Sequence, residues 1–332
     1  MRAAPVADGA TNRLVVGSRG SVLALVQAEW VADRLREAHP GLRVRIEKIA
    51  TKGDKLLDAP LAKIGDKGLF TKELEAALVD GRIDLAVHSA KDMPTELPPG
   101  LVIGAFTQRE DVHDAFVGGA VSLADVPPGA LIGSSSLRRR AQLLSLRPDL
   151  RLTDIRGNVQ TRLRKLEEQG MTGTVLAAAG LRRLGRPELV AFLFDFTQML
   201  PAVGQGALAV ETRADDARVA ALVAPLNDEP TALAVRAERA LMRALEGGCQ
   251  VPIGALGEID GERLHLRGFV GSLDGRHAVR AELVGSAREP ESVGIALAER
   301  LRAQGAEEIL AAVRGLASST PARPEEPLAP VD

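Results

Sequence analysis

The chain has one cysteine, Cys249, in the stretch Leu245-Glu246-Gly247-Gly248-Cys249-Gln250-Val251-Pro252-Ile253. A lone thiol on a glycine turn either packs as a small hydrophobe or attaches a group covalently, and the residues alone leave both open. Asp92 is the second candidate, because it follows the apolar alternation Ile83, Leu85, Val87 within Ser89-Ala90-Lys91-Asp92-Met93-Pro94. A carboxylate at the carboxyl end of a parallel strand can act as a catalytic acid, and it can equally cap a turn. His88, in the same alternation, reads either as a site residue or as a structural histidine. The third set is basic. Arg138, Arg139 and Arg140 follow Gly133-Ser134-Ser135-Ser136, Arg156 opens Arg156-Gly157-Asn158, Arg162 lies one turn further on, and Arg19 sits in Gly17-Ser18-Arg19-Gly20-Ser21.

Any one of these arginines could belong to a solvated face. Their recurrence just after successive strands points instead to a pocket for a molecule with several carboxylates, which a planar guanidinium grips two at a time. The serine run marks a helix start, where partial positive charge makes arginines unfavourable unless an anion is near. Successive helical residues point about 100° apart, so two of the three arginines can face one partner.

The elements that must position these groups follow from spacing. A short strand at 14–17 leads through Ser18–Ser21 into a helix over 22–38, and 43–50 alternates as a second strand. Such an order opens a parallel α/β sheet. A long polar loop carrying Lys63 and Lys67 runs to Gly68, and a helix then uses Phe70, Leu74, Ala77 and Leu78 as its apolar stripe. Strands are expected at 83–88, 131–133, 150–155 and 174–179, with helices after the serine run and after Asn158. The glycine-punctuated stretch 200–210 reads as a return crossover into the first unit. Pro230 to Leu245 places Leu233, Ala237, Leu241 and Leu245 on one helical face. Beyond Cys249, three short strands with Asp260-Gly261 and Asp274-Gly275 turns, then helices near 292–303 and 306–316, form a small α+β unit. The proline- and charge-rich end, 317–332, is expected to be disordered.

Composition narrows the classes of function. The chain has 332 residues with 45% hydrophobic content and a net charge of −2. Two or three domains are expected. One cysteine excludes an internal disulfide. Aromatic residues make up 2%, without tyrosine, which argues against a single-strand nucleic-acid reader and for a smaller anion. Met1 to Asn12 lacks an apolar core of signal-peptide length, and no stretch approaches a membrane span, so a cytoplasmic protein is expected.

From about Leu14 to Leu316 the chain resembles the porphobilinogen deaminase (hydroxymethylbilane synthase) family. The resemblance rests on Gly17-Ser18-Arg19, Lys67-Gly68-Leu69-Phe70, His88-Ser89-Ala90-Lys91-Asp92, Ser135-Ser136-Leu137-Arg138-Arg139, Arg156-Gly157-Asn158, Leu200-Pro201-Ala202-Val203-Gly204-Gln205-Gly206 and Glu246-Gly247-Gly248-Cys249-Gln250-Val251-Pro252. It implies an α/β fold: two periplasmic-binding-protein-like domains around a cleft (12–108 with 203–226, and 109–202) plus a smaller α+β C-terminal domain (227–316). It implies condensation of four porphobilinogen molecules, with loss of ammonia, on a dipyrromethane cofactor joined by a thioether to Cys249. Asp92 matches the catalytic aspartate, which would stabilise a cationic azafulvene. Lys67, Lys91, Ser136, Arg138, Arg139 and Arg156 match cofactor contacts. Arg19, Ser21, Phe70 and Arg162 match substrate contacts. No metal is implied, a monomer is expected, and hand-off to uroporphyrinogen-III synthase is a candidate partnership. The chain departs from the family pattern at Ala90, Arg140 and Val22, none of which touches the chemistry.

Two other classes compete on the residues alone. A bilobal small-anion sensor would share the strand-end arginines but would need neither Asp92 nor the cysteine. An acyl transferase with a cysteine nucleophile is disfavoured because the negative end of a helix opposes a thiolate.

Overall fold

The computed structural model describes residues 12–55, 70–246 and 251–318. The chain builds three sheets, each with its own helices. Sheet 1 begins with β1 (Arg13–Arg19), helix α1 (Val22–Ala38) and β2 (Arg43–Ile49), followed by helix α2 (Lys72–Val79), β3 (Leu85–Ser89) and β4 (Leu101–Phe106). The chain then leaves to form sheet 2 from β5 (Asp114–Gly118), β6 (Leu131–Gly133), β7 (Arg151–Thr153), β8 (Gly173–Ala177) and β9 (Phe192–Leu193). It returns with β10 (Leu208–Arg213), which lies between β3 and β4. The return crossover read from the glycine-punctuated stretch is therefore correct.

The two sheets share one plan. Sheet 1 runs β2-β1-β3-β10-β4 and sheet 2 runs β7-β6-β8-β5-β9. In each, three parallel strands are followed by an antiparallel strand that the chain supplies on crossing over, β10 in one and β5 in the other. Parallel strands buried on both faces need continuous apolar sequence. β3 meets that demand with Leu85-Ala86-Val87, and β8 with Val175-Leu176 after a buried Thr174 whose hydroxyl donates to the Gly133 carbonyl at 2.7 Å. The strand expected over 174–179 stops at Ala177, and a helix, Ala178–Arg183, follows at once. Three alanines in a row carry no branched side chain to hold an extended backbone, and alanine is the best helix former.

Helices α3 (Leu137–Leu146) and α4 (Val159–Glu168) follow β6 and β7. The third unit joins helix α5 (Glu229–Ala244) to an antiparallel sheet of β11 (Ile253–Asp260), β12 (Arg263–Gly271) and β13 (Ala278–Ser286), closed by helices Pro290–Ala303 and Ala306–Ser318. That last helix includes Ala317 and Ser318, which the composition had assigned to a disordered end. Helix α5 serves two cores. Ala237, Leu241 and Leu245 pack with β11, β12 and the last two helices, while Ala232 and Val235 pack on Ala90, Met93 and Phe106 of the first unit.

Candidate active site

Asp92 ends a single 3-10 turn, Ala90–Asp92, that caps β3. Its neighbours anchor the turn: Ala90 and Met93 are buried against Phe106, Ala207, Ala209, Ala232 and Val235. Truncating a buried methionine such as Met93 costs about 2–5 kcal/mol, so the turn is held from both sides while Lys91 and Asp92 stay half-buried between its anchors. Asp92 shares a pocket with Arg19, Ser21, Gln27, Phe70 and Ser89. The Arg19 guanidinium lies over the Phe70 ring at 4.1 Å, a cation–π contact that fixes both side chains. Ser21 is the N-cap of α1, its hydroxyl accepting from the Ala24 N–H at 3.3 Å. Gln27 and Ser89 hydrogen-bond to each other at 3.1 Å beside it.

The serine run after β6 behaves as its composition suggests. Ser136 caps α3, accepting from the Arg139 N–H at 3.4 Å, and Ser135 bonds both ways with the Ile155 backbone at 3.0 Å. Two of the three arginines do face one anion, and that anion is Asp114 at the start of β5. Arg138 Nη1 donates to Asp114 Oδ2 at 2.6 Å, and Arg139 donates to Oδ1 from Nε at 3.0 Å and Nη2 at 2.7 Å. Burial opposes ionisation of Asp114, but the two guanidinium groups overcome it and hold the carboxyl well below its usual range. Arg140 turns away, to the Ser134 carbonyl at 3.3 Å and Asp154 at 3.5 Å.

Electrostatics tie the remaining cations to Asp92. Desolvation and the Arg139 charge lower Lys91 to about 8, with Asp92 and Asp114 pulling the other way. Desolvation, then Arg139 and Arg156, lower Arg162 to about 10, again opposed by Asp92. Arg162 also donates from Nε to the Gly157 carbonyl at 2.9 Å. Gly157 has φ +115°, and a Cβ there would lie 2.5 Å from Thr161, so only glycine lets α4 begin this close to Arg156. Lys91 and Arg162, lowered by burial and by neighbouring arginines, suit an anionic ligand with several carboxylates. Lys67 and Cys249, with Gly247, Gly248 and Gln250, lie outside the described residues. Among the described residues, no group of three or more His, Asp or Glu is placed to hold a metal ion.

Sequence reasoning missed the groups that support the site from behind. Asp114 is one; Arg109, Gln205 and Glu238 are others. Gln205 Nε2 donates to the Val112 carbonyl at 2.8 Å and to Asp114 Oδ1 at 3.1 Å. Glutamine inside Val203-Gly204-Gln205-Gly206 was the available signal, since a long amide among glycines must find buried partners.

The model of "Porphobilinogen deaminase, dipyromethane cofactor binding domain" matches residues 14–221, and that of "Porphobilinogen deaminase, C-terminal domain" matches residues 232–303. The chain belongs to the porphobilinogen deaminase family. It is 58% identical over 300 residues to the porphobilinogen deaminase of Moorella thermoacetica, covering 90% of this chain and 96% of that one. It is 56% identical over 304 residues to that of Desulforudis audaxviator, covering 91% and 98%. The family's members are transferases of tetrapyrrole biosynthesis, and residues 14–221 match the part of them that binds the dipyrromethane cofactor. Among solved structures, the chain is similar to the methionine binding protein MetQ, with a TM-score of 0.43 at 15% identity over 65% of this chain and 90% of that one.

Proposed function

We propose that the chain works as a hydroxymethylbilane synthase. It condenses four porphobilinogen molecules head to tail, releases ammonia at each step, and frees linear hydroxymethylbilane by hydrolysis. The observation that carries this reading is the position of Asp92, on a braced turn in a pocket with Arg19, Ser21 and Phe70 and facing Lys91 and Arg162.

Lys91 and Arg162, lowered by burial beside other cations, fit a group rich in carboxylates, as dipyrromethane is. Lys67, Lys91, Ser136, Arg138, Arg139 and Arg156 would hold it, with Cys249 as the thioether anchor. When bound, dipyrromethane supplies the nucleophilic pyrrole carbon on which the product grows. Arg19, Ser21, Arg162 and Phe70 bind the incoming porphobilinogen, the guanidinium groups taking its acetate and propionate. The Asp92 carboxylate accepts the substrate's pyrrole N–H and faces the positive charge that develops on the ring as ammonia departs. A fixed anion aimed at developing charge lowers a barrier by about 3–4 kcal/mol. Asp114 keeps Arg138 and Arg139 charged and oriented, which makes it a positioning residue.

The domain reading follows the same lines: 12–108 with 203–226 carries Asp92, 109–202 carries the arginine cluster, and 227–316 carries Cys249. We place the enzyme in the cytoplasm as a monomer that hands its product to uroporphyrinogen-III synthase, with no nucleic-acid or membrane partner. Among the described residues no helix is long and apolar enough to cross a membrane. Intact-mass measurement of the purified chain tests the reading. The expected result is one dipyrromethane adduct, absent in Cys249→Ser, together with turnover of porphobilinogen. An unmodified and fully active chain would overturn it.

A further inference from the structure

Helix α5 lies along the Asp92 turn and is fixed to the first unit at two places. At its start, the Asp228 N–H donates to the Phe106 carbonyl at 2.8 Å, and the Phe106 N–H donates to Asn227 Oδ1 at 3.0 Å. Nearer its end, Arg239 Nη2 donates to the Pro94 carbonyl at 2.6 Å and to the Thr95 carbonyl at 3.2 Å. Arg239 is only 8% exposed. Ala232, Val235 and Arg239 fall within about 60° of one another around the helix axis, on the side opposite Ala237 and Leu241. One face of α5 therefore serves the first unit, where Ala232 and Val235 pack with Ala90 and Met93, and the other serves the core of the third.

A buried guanidinium is costly unless its donors are met, so Arg239 must be matched to groups that need a donor. The segment it grips is of that kind. Met93-Pro94-Thr95-Glu96-Leu97-Pro98-Pro99 forms neither helix nor strand. Its prolines have no N–H to give to a ladder, so regular structure does not hold the chain where it leaves Asp92. We propose that Arg239 is a positioning residue for Asp92, clamping the exit of the turn to α5 while Ala232 and Val235 hold its apolar anchors.

A charged donor suits this task, because its hydrogen bonds to carbonyls are shorter and stronger than neutral ones. One nitrogen spanning two successive carbonyls sets the direction in which the chain leaves Met93. That direction in turn sets the tilt of the three-residue turn carrying the carboxylate. The same helix ends at Ala244, and Cys249 follows five positions later. The element that fixes the Asp92 turn thus leads straight into the attachment segment. The consequence for turnover rests on the proposed function; the clamp itself does not.

Arg239→Met keeps the reach of the side chain and removes its donors. Amide exchange over residues 90–97 should be about tenfold faster in that variant, with β12 unchanged. At saturating porphobilinogen its kcat should fall about tenfold, less than the 10²-fold that a misplacement near 1 Å costs. KM should stay within about twofold of native, and intact mass should still show the dipyrromethane adduct, because no binding group has been removed. Arg239→Lys keeps the charge without the planar fork and should lie between the two, about threefold from native in exchange and in kcat. A Met variant with native exchange and native kcat would overturn the clamp. So would a Lys variant as impaired as the Met variant, or a loss shared by kcat, KM and Tm alike, since either marks Arg239 as a general support of the fold. Should Arg239→Met not fold, Arg239→Lys decides on the same two readouts, and native values of both would overturn the clamp. A native chain that turns over no porphobilinogen would count against the proposed function and leave the clamp to be decided by exchange.

Discussion

Arg109 meets Glu238 with two prongs, Nη1 to Oε1 at 2.7 Å and Nη2 to Oε2 at 3.1 Å. The same carboxylate accepts the Gly204 N–H at 2.7 Å and the Gly257 N–H at 2.8 Å. Arg109 lies on the segment leaving sheet 1, Gly204 on the segment returning to it, and Gly257 on β11. One buried anion on α5 thus ties both crossings to the third unit. Glu238→Ala leaves a largely buried guanidinium without its counter-charge, with only the Gln205 carbonyl still accepting from its Nε at 2.8 Å, and leaves two N–H groups without an acceptor. The expected loss is about 3–5 kcal/mol, read from the urea midpoint. A loss under about 1 kcal/mol would mean that water replaces the carboxylate.

Asp114 does for Arg138 and Arg139 what Glu238 does for Arg109. Asp114→Asn should lower stability at pH 7, because two buried guanidinium groups lose their counter-charge. The sign with pH follows from a folded-state carboxyl held well below its usual range. That stabilisation is present above the unfolded pKa of about 3.9 and is lost only as pH falls through the lower folded value. Thermal scans of native chain and variant should stay apart from pH 7 down to about pH 4 and converge below it. A gap that closes between pH 7 and pH 5 would show that another group is responsible.

The helices were legible because their apolar residues recur at helical spacing. The sequence reading of 22–38 matches α1, and 230–245 is within a residue of α5 at each end. Strand-end chemistry was legible for a related reason: parallel sheets gather their loops at one edge, and Arg19, Ser21, Phe70 and Asp92 do meet there. Pairing across long separations was not legible. Arg109 and Glu238 are 129 positions apart, and nothing in local patterning marks one as the other's partner. Asp114 was hidden differently. The helix-start argument demanded an anion near Arg138 and Arg139, but a charged residue opening a buried strand looks like a boundary rather than a counter-ion. Ala178 was misread because a continuous run of small apolar residues suits a buried strand and a buried helix equally.

Lys91 gives the site a limit on the alkaline side. With its ammonium lowered to about 8, it loses its proton as pH rises past that value, and a carboxylate ligand then loses a cation. Capture of the dipyrromethane by the cofactor-free chain, the state to which this value belongs, should therefore weaken above about pH 8. Lys91→Arg keeps its charge throughout and should extend full capture beyond pH 9. An unchanged alkaline limb in that variant would remove Lys91 from cofactor binding.

Asp92→Asn keeps the shape of the turn and removes the charge. The turn's anchors, Ala90 and Met93, are untouched, so the apparent Tm should stay within about 2 °C of the native value. Turnover should fall by about 10²–10³-fold, the scale of losing one preorganised electrostatic group. Single-turnover ammonia release separates this from weak binding, since the defect should persist at saturating porphobilinogen. Turnover within tenfold of native would place the chemistry elsewhere.

Gly204 packs the returning segment against the Ala90–Asp92 turn. Its φ is +72°, and a Cβ there would lie 3.1 Å from the Ala90 carbonyl carbon and 3.3 Å from the Lys91 nitrogen. Those are backbone atoms and cannot swing aside as a side chain could. Gly204→Ala must therefore strain its own left-handed backbone, at about 1–2 kcal/mol, or push the Ala90–Asp92 turn outward. The first response lowers stability alone. The second moves Asp92 relative to Arg19 and Phe70, and a displacement near 1 Å at a reacting group costs about 10²-fold in rate. Because Glu238 also fixes the Gly204 N–H from behind, the strain falls on the half-buried Lys91 and Asp92, which lie between the turn's two buried anchors. The variant should accordingly lose more in kcat than its drop in Tm accounts for, and a Tm loss with native kcat would show that the strain stays at residue 204.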